Sequence, residues 1–399
     1  MLDRLTIERA WAAAGPILLG LSGGGDSVAL LHLLVEHLGA ARVRAIVIDH
    51  ALRAGSGDDA RRALEFAEGL GVAGEIAVLS WPDGAKRAQQ SAREARYGAL
   101  CDVARRFGAT TIAVAHTADD QAETVLMRAT AGSGWRGLAG MAPIAPAPVW
   151  PQGRGIMLAR PLLGVRRAEL RDALRARGAT WIEDPANTNP AFERVRVRTR
   201  LAALEALGFD PMRLARLAAN LRPRVEQLDR EARALIDRVA RIEGERIIFA
   251  RTSWSGGAEV RRRALSALVA AAAGASREPD LSAIAALEAR LGADGFAGAS
   301  LGGAQLAQTG AEIVLSRDAG ALRGRADGAV PIAPLPLPAG EEAVWDGRLA
   351  ITVSAPGWSV VAEAGRPRLA KGGVRLEVGE LGAAYWLLEA RVQHLLGSG

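Results

Sequence analysis

The chain is almost without cysteine and almost without lysine. Cys101 is its one cysteine. A disulfide framework within one chain is therefore excluded, and so is a zinc or iron–sulfur centre built from several cysteines. This scarcity suits a reducing, cytoplasmic compartment. The five histidines are too dispersed to suggest a zinc site. Lys86 and Lys371 are the only lysines, so arginine carries nearly all of the positive charge behind a net +6. Arginine suits phosphate contacts, although +6 over 399 residues is a modest argument for a polyanionic partner. No apolar run is long enough to span a bilayer; the alanine-rich stretch around Ala267–Ala273 is too short, and no membrane association is expected. Residues 10–21 are apolar, but Asp3 and Glu8 spoil a basic leader. The run reads as a helix end feeding a first strand.

The first half of the chain alternates in pattern. Strand candidates at Ile17–Leu21, Val43–Ile48, Glu75–Leu79, Thr111–Ala115 and Ile156–Ala159 are separated by helical stretches near Ser27–Leu38, Asp58–Leu70, Gln89–Phe107 and Ala118–Ala129. This predicts an α/β fold, a doubly wound parallel sheet covered on both faces. Ligands of such sheets bind at the carboxyl ends of the strands. From Pro211 to about Leu291 the pattern becomes helical with a basic surface. A proline-rich stretch at 331–338 reads as a linker, and an alternating strand at Leu349–Val353 suggests a small β-containing C-terminal module. The expected domains are 1–205, 206–325 and 339–399.

The first strand runs into Ser22-Gly23-Gly24-Gly25-Asp26-Ser27 and then a helix. Glycine admits close backbone approach, and the amides that open a helix point at whatever sits in the turn, so the stretch is a phosphate cradle. It lacks the Gly-Lys-Ser/Thr ending of the common nucleotide-hydrolase loop and the Gly-x-Gly-x-x-Gly spacing of dinucleotide folds. Asp26 suits a phosphate site only with magnesium between them. Asp49, His50 and Arg53 follow the second strand, where nucleotide sugar or base is met. His116 stands at a strand end, followed by Asp119, Asp120 and Glu123. That cluster could hold magnesium, accept a substrate ammonium or remove a proton. A glycine-rich segment at 131–141 reads as a mobile loop over the site. Arg194, Arg196, Arg198 and Arg200 alternate; in an extended segment they would share a face and grip a phosphate backbone, whereas in a helix they would splay.

Ser-Gly-Gly-x-Asp-Ser at Ser22–Ser27 resembles the pyrophosphate loop of the PP-loop ATP pyrophosphatase superfamily. Asp49-His50-Ala51-Leu52-Arg53, Ala92–Tyr97, Ala118–Thr124, Gly137–Met141 and Glu183–Asn187 follow it in the order of the tRNA(Ile)-lysidine synthetase family, which the chain resembles from about Gly20 to Arg200. Two departures stand out. Thr117 replaces a second histidine often found after His116, and Ala131 stands where arginine often precedes Gly-Ser-Gly. The resemblance implies an enzyme that transfers AMP from ATP to the wobble cytidine of a CAU-anticodon tRNA(Ile), after which free L-lysine displaces AMP. It implies ATP contacts from Ser22, Gly23, Gly24, Gly25, Asp26, Ser27, Asp49, His50 and Arg53. Magnesium would be held by Asp26 and Asp119, and catalysis would fall to Asp26, His116, Asp120 and Glu123. Substrate contacts would come from Arg93, Asp119, Asn187, Arg194, Arg196 and Arg198. A homodimer is compatible with it. The alternatives are a related adenylating enzyme acting on another RNA base, or a non-catalytic tRNA-binding protein. The lone cysteine favours the lysine route over a sulfur-transfer relative.

Overall fold

A computed structural model of the chain describes residues 15–51, 55–80, 89–183, 193–208, 210–324 and 331–397. The side chains of residues 89, 90, 194 and 202 are not described. The helix end expected before Ile17 also lies outside these residues. The chain divides into two compact units, Met1–Val225 and Glu226–Gly399. The division falls within the helix Pro211–Val239.

The first unit is built on a six-stranded sheet. Its strands are β1 (Ile17–Gly20), β2 (Val43–Asp49), β3 (Gly74–Val78), β4 (Thr111–Ala113), β5 (Ile144–Pro146) and β6 (Met157–Ala159), in the order β3-β2-β1-β4-β6-β5. Five run parallel. β5 pairs antiparallel with β6 at the edge. Pro143, Pro146 and Pro148 lie in and around β5; an edge strand tolerates prolines because its outward amides need no ladder partner.

β1 is apolar throughout because both faces of a parallel sheet are covered. Ile17 and Leu19 pack with Leu30, Leu34 and Ala63 of the helices Gly25–Leu38 and Ser56–Glu68. Leu18 points the other way, to Tyr97 and Leu100 of the helix Gln89–Arg106. The chain leaves β1 for β2 on one side and later returns to β4 on the other. That reversal opens a crevice at the carboxyl ends of β1 and β4. The turns after these two strands carry the glycine loop and the acidic cluster.

The arginine ladder is not extended. It lies in the helix Glu193–Ala206, where Val197 and Leu201, four apart, pack on Ala122. The alternation of arginine and valine mimicked a strand, but one buried stripe at helical spacing decided the conformation.

The second unit contains more sheet than its sequence pattern predicts. Besides the helices Ala258–Ala273 and Leu281–Gly292, it has a five-stranded antiparallel sheet drawn from residues 240–317. Its strands are short and rich in alanine and arginine, which blurs a period of two. Residues 331–338 are not simply a linker: Leu335–Leu337 is an edge strand paired with Trp358–Glu363. Leu349–Val353 is a strand as expected, paired with Glu342–Trp345. No helix among the described residues is long and apolar enough to cross a membrane.

Candidate active site

After β1 the chain turns through Ser22–Ser27 into the helix Gly25–Leu38. Gly23 has a φ of +77°, and a Cβ there would stand 2.7 Å from Ile182 Cδ1 and 2.9 Å from Ala63 Cβ. Glycine is required by both conformation and space. The Ile182 amide donates to the Gly23 carbonyl at 2.9 Å, so the 181–182 segment buttresses the turn. Ser27 Oγ accepts the Ser22 amide at 3.2 Å and donates to the Gly24 carbonyl at 2.9 Å. The amides of Gly23, Gly24, Gly25 and Asp26 have no hydrogen-bond acceptor among the described residues. Free amides at a helix start make an anion cradle.

After β4 the helix Ala118–Thr130 begins with Thr117 as its cap. The Thr117 amide and Oγ1 donate to Asp120 Oδ2 at 2.8 and 2.9 Å. The departure at Thr117 therefore has a structural role: it closes a capping box that fixes the Asp120 carboxylate. Asp120 Oδ1 is left facing the crevice.

The residue gathering the site is Arg167, which the sequence reading did not single out. Its Nε donates to Asp26 Oδ2 at 2.9 Å and its Nη2 to Asp120 Oδ1 at 2.9 Å, while Nη1 lies 3.8 Å from Glu123 Oε1. Glu123, 1% exposed, also accepts from Arg198 Nε at 2.8 Å. Asp26 Oδ1 and Glu123 Oε2 are buried with no hydrogen-bond partner among the described residues. Burial pushes the Asp26 carboxyl above its ordinary value; Arg167 opposes the rise and the charge of Asp120 adds to it. Burial likewise raises Glu123, opposed by the bond from Arg198 and helped by Asp120. Burial works against the Arg167 guanidinium, but Asp120 and Asp26 outweigh it and hold its pKa above the usual arginine value.

Asp119 faces elsewhere. Its Oδ2 accepts the Arg167 amide at 2.8 Å and its Oδ1 accepts Arg166 Nε at 3.1 Å. Arg166 also reaches Glu205 and Asp210. The expected pairing of Asp26 with Asp119 around magnesium is thus not assembled: Asp119 orients the start of the helix Arg167–Ala176, and Asp120 is the carboxylate that shares a cation with Asp26. Among the described residues no group of three or more His, Cys, Asp or Glu is disposed to hold a metal. Asp26 and Asp120 nonetheless suit a hard cation, since both are oxygen donors and Asp26 keeps a buried oxygen unpartnered.

The remaining candidates are more scattered. Asp49 ends β2, and its Oδ1 accepts the Ala51 amide at 2.8 Å. His50 is half-buried, and burial, reinforced by the charge of Arg96, lowers its pKa and favours the neutral ring. His116 is half-buried just before the Thr117 cap. Arg93 is exposed, with its guanidinium 5.0 Å from the Tyr97 ring centre. Arg196 is exposed on its helix, unlike Arg198. Arg53, Asn187 and the Arg194 side chain lie outside the described residues.

In the glycine-rich segment expected to be mobile, residues 137–141 are held by side chains of neighbouring helices. Gln121 exchanges two hydrogen bonds with the Met141 backbone, at 2.8 and 2.9 Å. Arg128 donates to the carbonyls of Gly137 and Gly140, and Arg222 to those of Ala139 and Gly140. Sequence alone offered one hint of Arg167: an arginine pair opening a helix just beyond the last parallel strand.

Residues 4–205 match the PP-loop domain family. Curated relatives include the tRNA(Ile)-lysidine synthase of Ruegeria pomeroyi, 44% identical over 227 residues, covering 56% of this chain and 53% of that protein. The tRNA(Ile)-lysidine synthase of Hyphomonas neptunium is 46% identical over 190 residues, 47% of this chain and 50% of that protein. That of Caulobacter vibrioides is 34% identical over 363 residues, 89% of this chain and 78% of that protein. The match thus spans about half the length of the first two relatives and over three quarters of the third.

Proposed function

The chain belongs to the tRNA(Ile)-lysidine synthase family, and we propose that it joins free lysine to carbon 2 of the wobble cytidine of a CAU-anticodon tRNA, with cleavage of ATP to AMP and pyrophosphate. The observation that carries this reading is one juxtaposition. An amide cradle for an anion, at Gly23–Asp26, adjoins three carboxylates, Asp26, Asp120 and Glu123, gathered around a cation. ATP and an amine nucleophile need such neighbours.

In the first step the carbonyl oxygen on carbon 2 of cytidine attacks the α-phosphorus, and pyrophosphate leaves. The loop amides stabilise the charge gathering on the leaving group. Asp26 would hold magnesium, which would offset phosphate charge. Asp49 and His50, at the end of β2, suit contacts to the nucleoside. In the second step the lysine side-chain nitrogen attacks carbon 2, and the bond from that carbon to the AMP oxygen breaks. The ammonium of lysine has a pKa near 10.4 in water, so it must lose a proton first. Asp120 and Glu123 attract it, and His116 or one of these carboxylates accepts the proton. Arg93, Arg194 and Arg196 suit contacts to the RNA backbone, with Asn187 as a further substrate contact.

The test is incubation with ATP, labelled lysine and CAU-anticodon tRNA. Label should move onto the RNA, with one AMP and one pyrophosphate released per lysine joined. Release of AMP with another acceptor, and none of the label on this tRNA, would replace lysine as the substrate. No pyrophosphate with any tRNA would sink the adenylation reading itself.

A further inference from the structure

Three carboxylates of the site form ion pairs with two guanidiniums, those of Arg167 and Arg198, so the carboxylates outnumber their direct partners. Two buried oxygens, Asp26 Oδ1 and Glu123 Oε2, have no hydrogen-bond partner among the described residues. Both facts point to a further cation as ligand. Yet the position such a cation would take, between Asp26, Asp120 and Glu123, is held by the guanidinium of Arg167. A substrate ammonium and a guanidinium cannot share these carboxylates without close repulsion between like charges.

Arg167 has a second destination. Asp26, its partner, is itself part of the glycine loop, so the guanidinium stands beside the anion cradle. A triphosphate there offers oxygens that match the guanidinium fork, with more charge than one carboxylate. We infer that Arg167 is a positioning residue whose guanidinium holds the amine subsite until ATP binds and draws it onto the phosphates. Lysine then finds Asp120 and Glu123 open only after ATP is in place. The order protects against futile occupancy, because an amine bound before adenylation has no activated carbon to attack. The inference rests on the reading of ATP and lysine as substrates.

Direct binding separates the two. L-lysine is titrated into the full chain by calorimetry, with and without saturating magnesium α,β-methylene-ATP, which binds but resists cleavage. In the wild type the nucleotide should tighten lysine about 5–150-fold, the usual range of coupling between sites. Arg167→Gln removes the competing charge, so lysine should bind without nucleotide and gain less than about threefold from it. Arg167→Lys keeps a cation and should keep much of the dependence, which a merely structural role would not produce. Equal lysine affinity in the wild type with and without nucleotide overturns the inference and leaves ATP and lysine as substrates. Undiminished nucleotide dependence in folded Arg167→Gln also overturns it. Nucleotide binding with no lysine binding in either state overturns the inference and the lysine reading together.

Discussion

Arg167 and Asp26 meet through a 2.9 Å hydrogen bond across 141 residues of sequence. The bond joins the start of one helix to the phosphate loop of another. It makes Asp26 a shared resource: the same carboxylate that belongs to the anion cradle anchors the cation of the neighbouring acidic cluster.

Replacing Asp26 with Asn keeps the shape of the loop and removes its charge. Pyrophosphate release should fall about 10²–10³-fold, the scale seen when one preorganised electrostatic group is lost. Binding of tRNA should stay nearly unchanged, since its expected contacts lie elsewhere. Wild-type turnover by this variant would refute a role for Asp26 in the chemistry.

Glu123 gives a pH dependence whose sign follows from burial. Its folded pKa lies above the ordinary 4.5, so the folded state binds this proton more tightly than the unfolded state does. Its contribution to stability is fully present below the unfolded value and is lost as pH rises through the raised folded value. Glu123→Gln has no such titration. The Tm of wild type relative to Glu123→Gln should therefore decline as pH rises from below 4.5 towards neutrality. A Tm difference that is constant over that window contradicts the raised pKa.

Two neighbouring arginines should behave differently. Arg198 donates to buried Glu123, so Arg198→Ala leaves a buried carboxylate with only the 3.8 Å approach of Arg167; a loss of about 1–3 kcal/mol is expected in chemical denaturation. Arg196 is exposed, and Arg196→Ala should change stability by no more than about 0.5 kcal/mol. Its effect should appear in RNA binding, where the salt dependence of affinity drops by about one unit of slope. Identical effects of the two substitutions on stability and on salt slope would rule out this division.

In the second unit, Asp346 sits between Arg317 and Arg348, with Nε bonds of 2.9 and 2.8 Å. Arg348 is 1% exposed, and burial lowers its pKa despite this carboxylate. Asp346→Ala strands a buried guanidinium and should cost about 3–5 kcal/mol in urea unfolding. The turn is also tight against Gly274, where a Cβ would meet the Asp346 carbonyl at 2.0 Å, so little relaxation is available. A loss below about 1 kcal/mol would mean that water or another group takes over the pairing.

Much of the first unit was legible because its signals are local. The apolar runs of β1, β2 and β4, the glycine turn after β1 and the acidic first turn after β4 are each read within a dozen residues. Short-range cues failed where two periods compete. The Arg-Val alternation at 194–198 fits a strand as well as a helix, and the packing of Val197 and Leu201 on Ala122 decides for the helix. Prolines hid β5 and the strand Leu335–Leu337, because edge positions excuse them from the ladder.

The sequence by itself determined the kind of chemistry, since an amide cradle and a carboxylate cluster are set by residues adjacent in the chain. It could not decide which carboxylates act together. Asp119 and Asp120 are neighbours, yet one is spent on Arg166 and on the backbone of a distant helix, while the other shares Arg167 with Asp26. That choice depends on the order of strands, which brings the turns after β1 and β4 side by side and sets Arg167 and Arg198 against them. Charges so far apart in sequence find their partners only when the sheet has fixed where each helix begins.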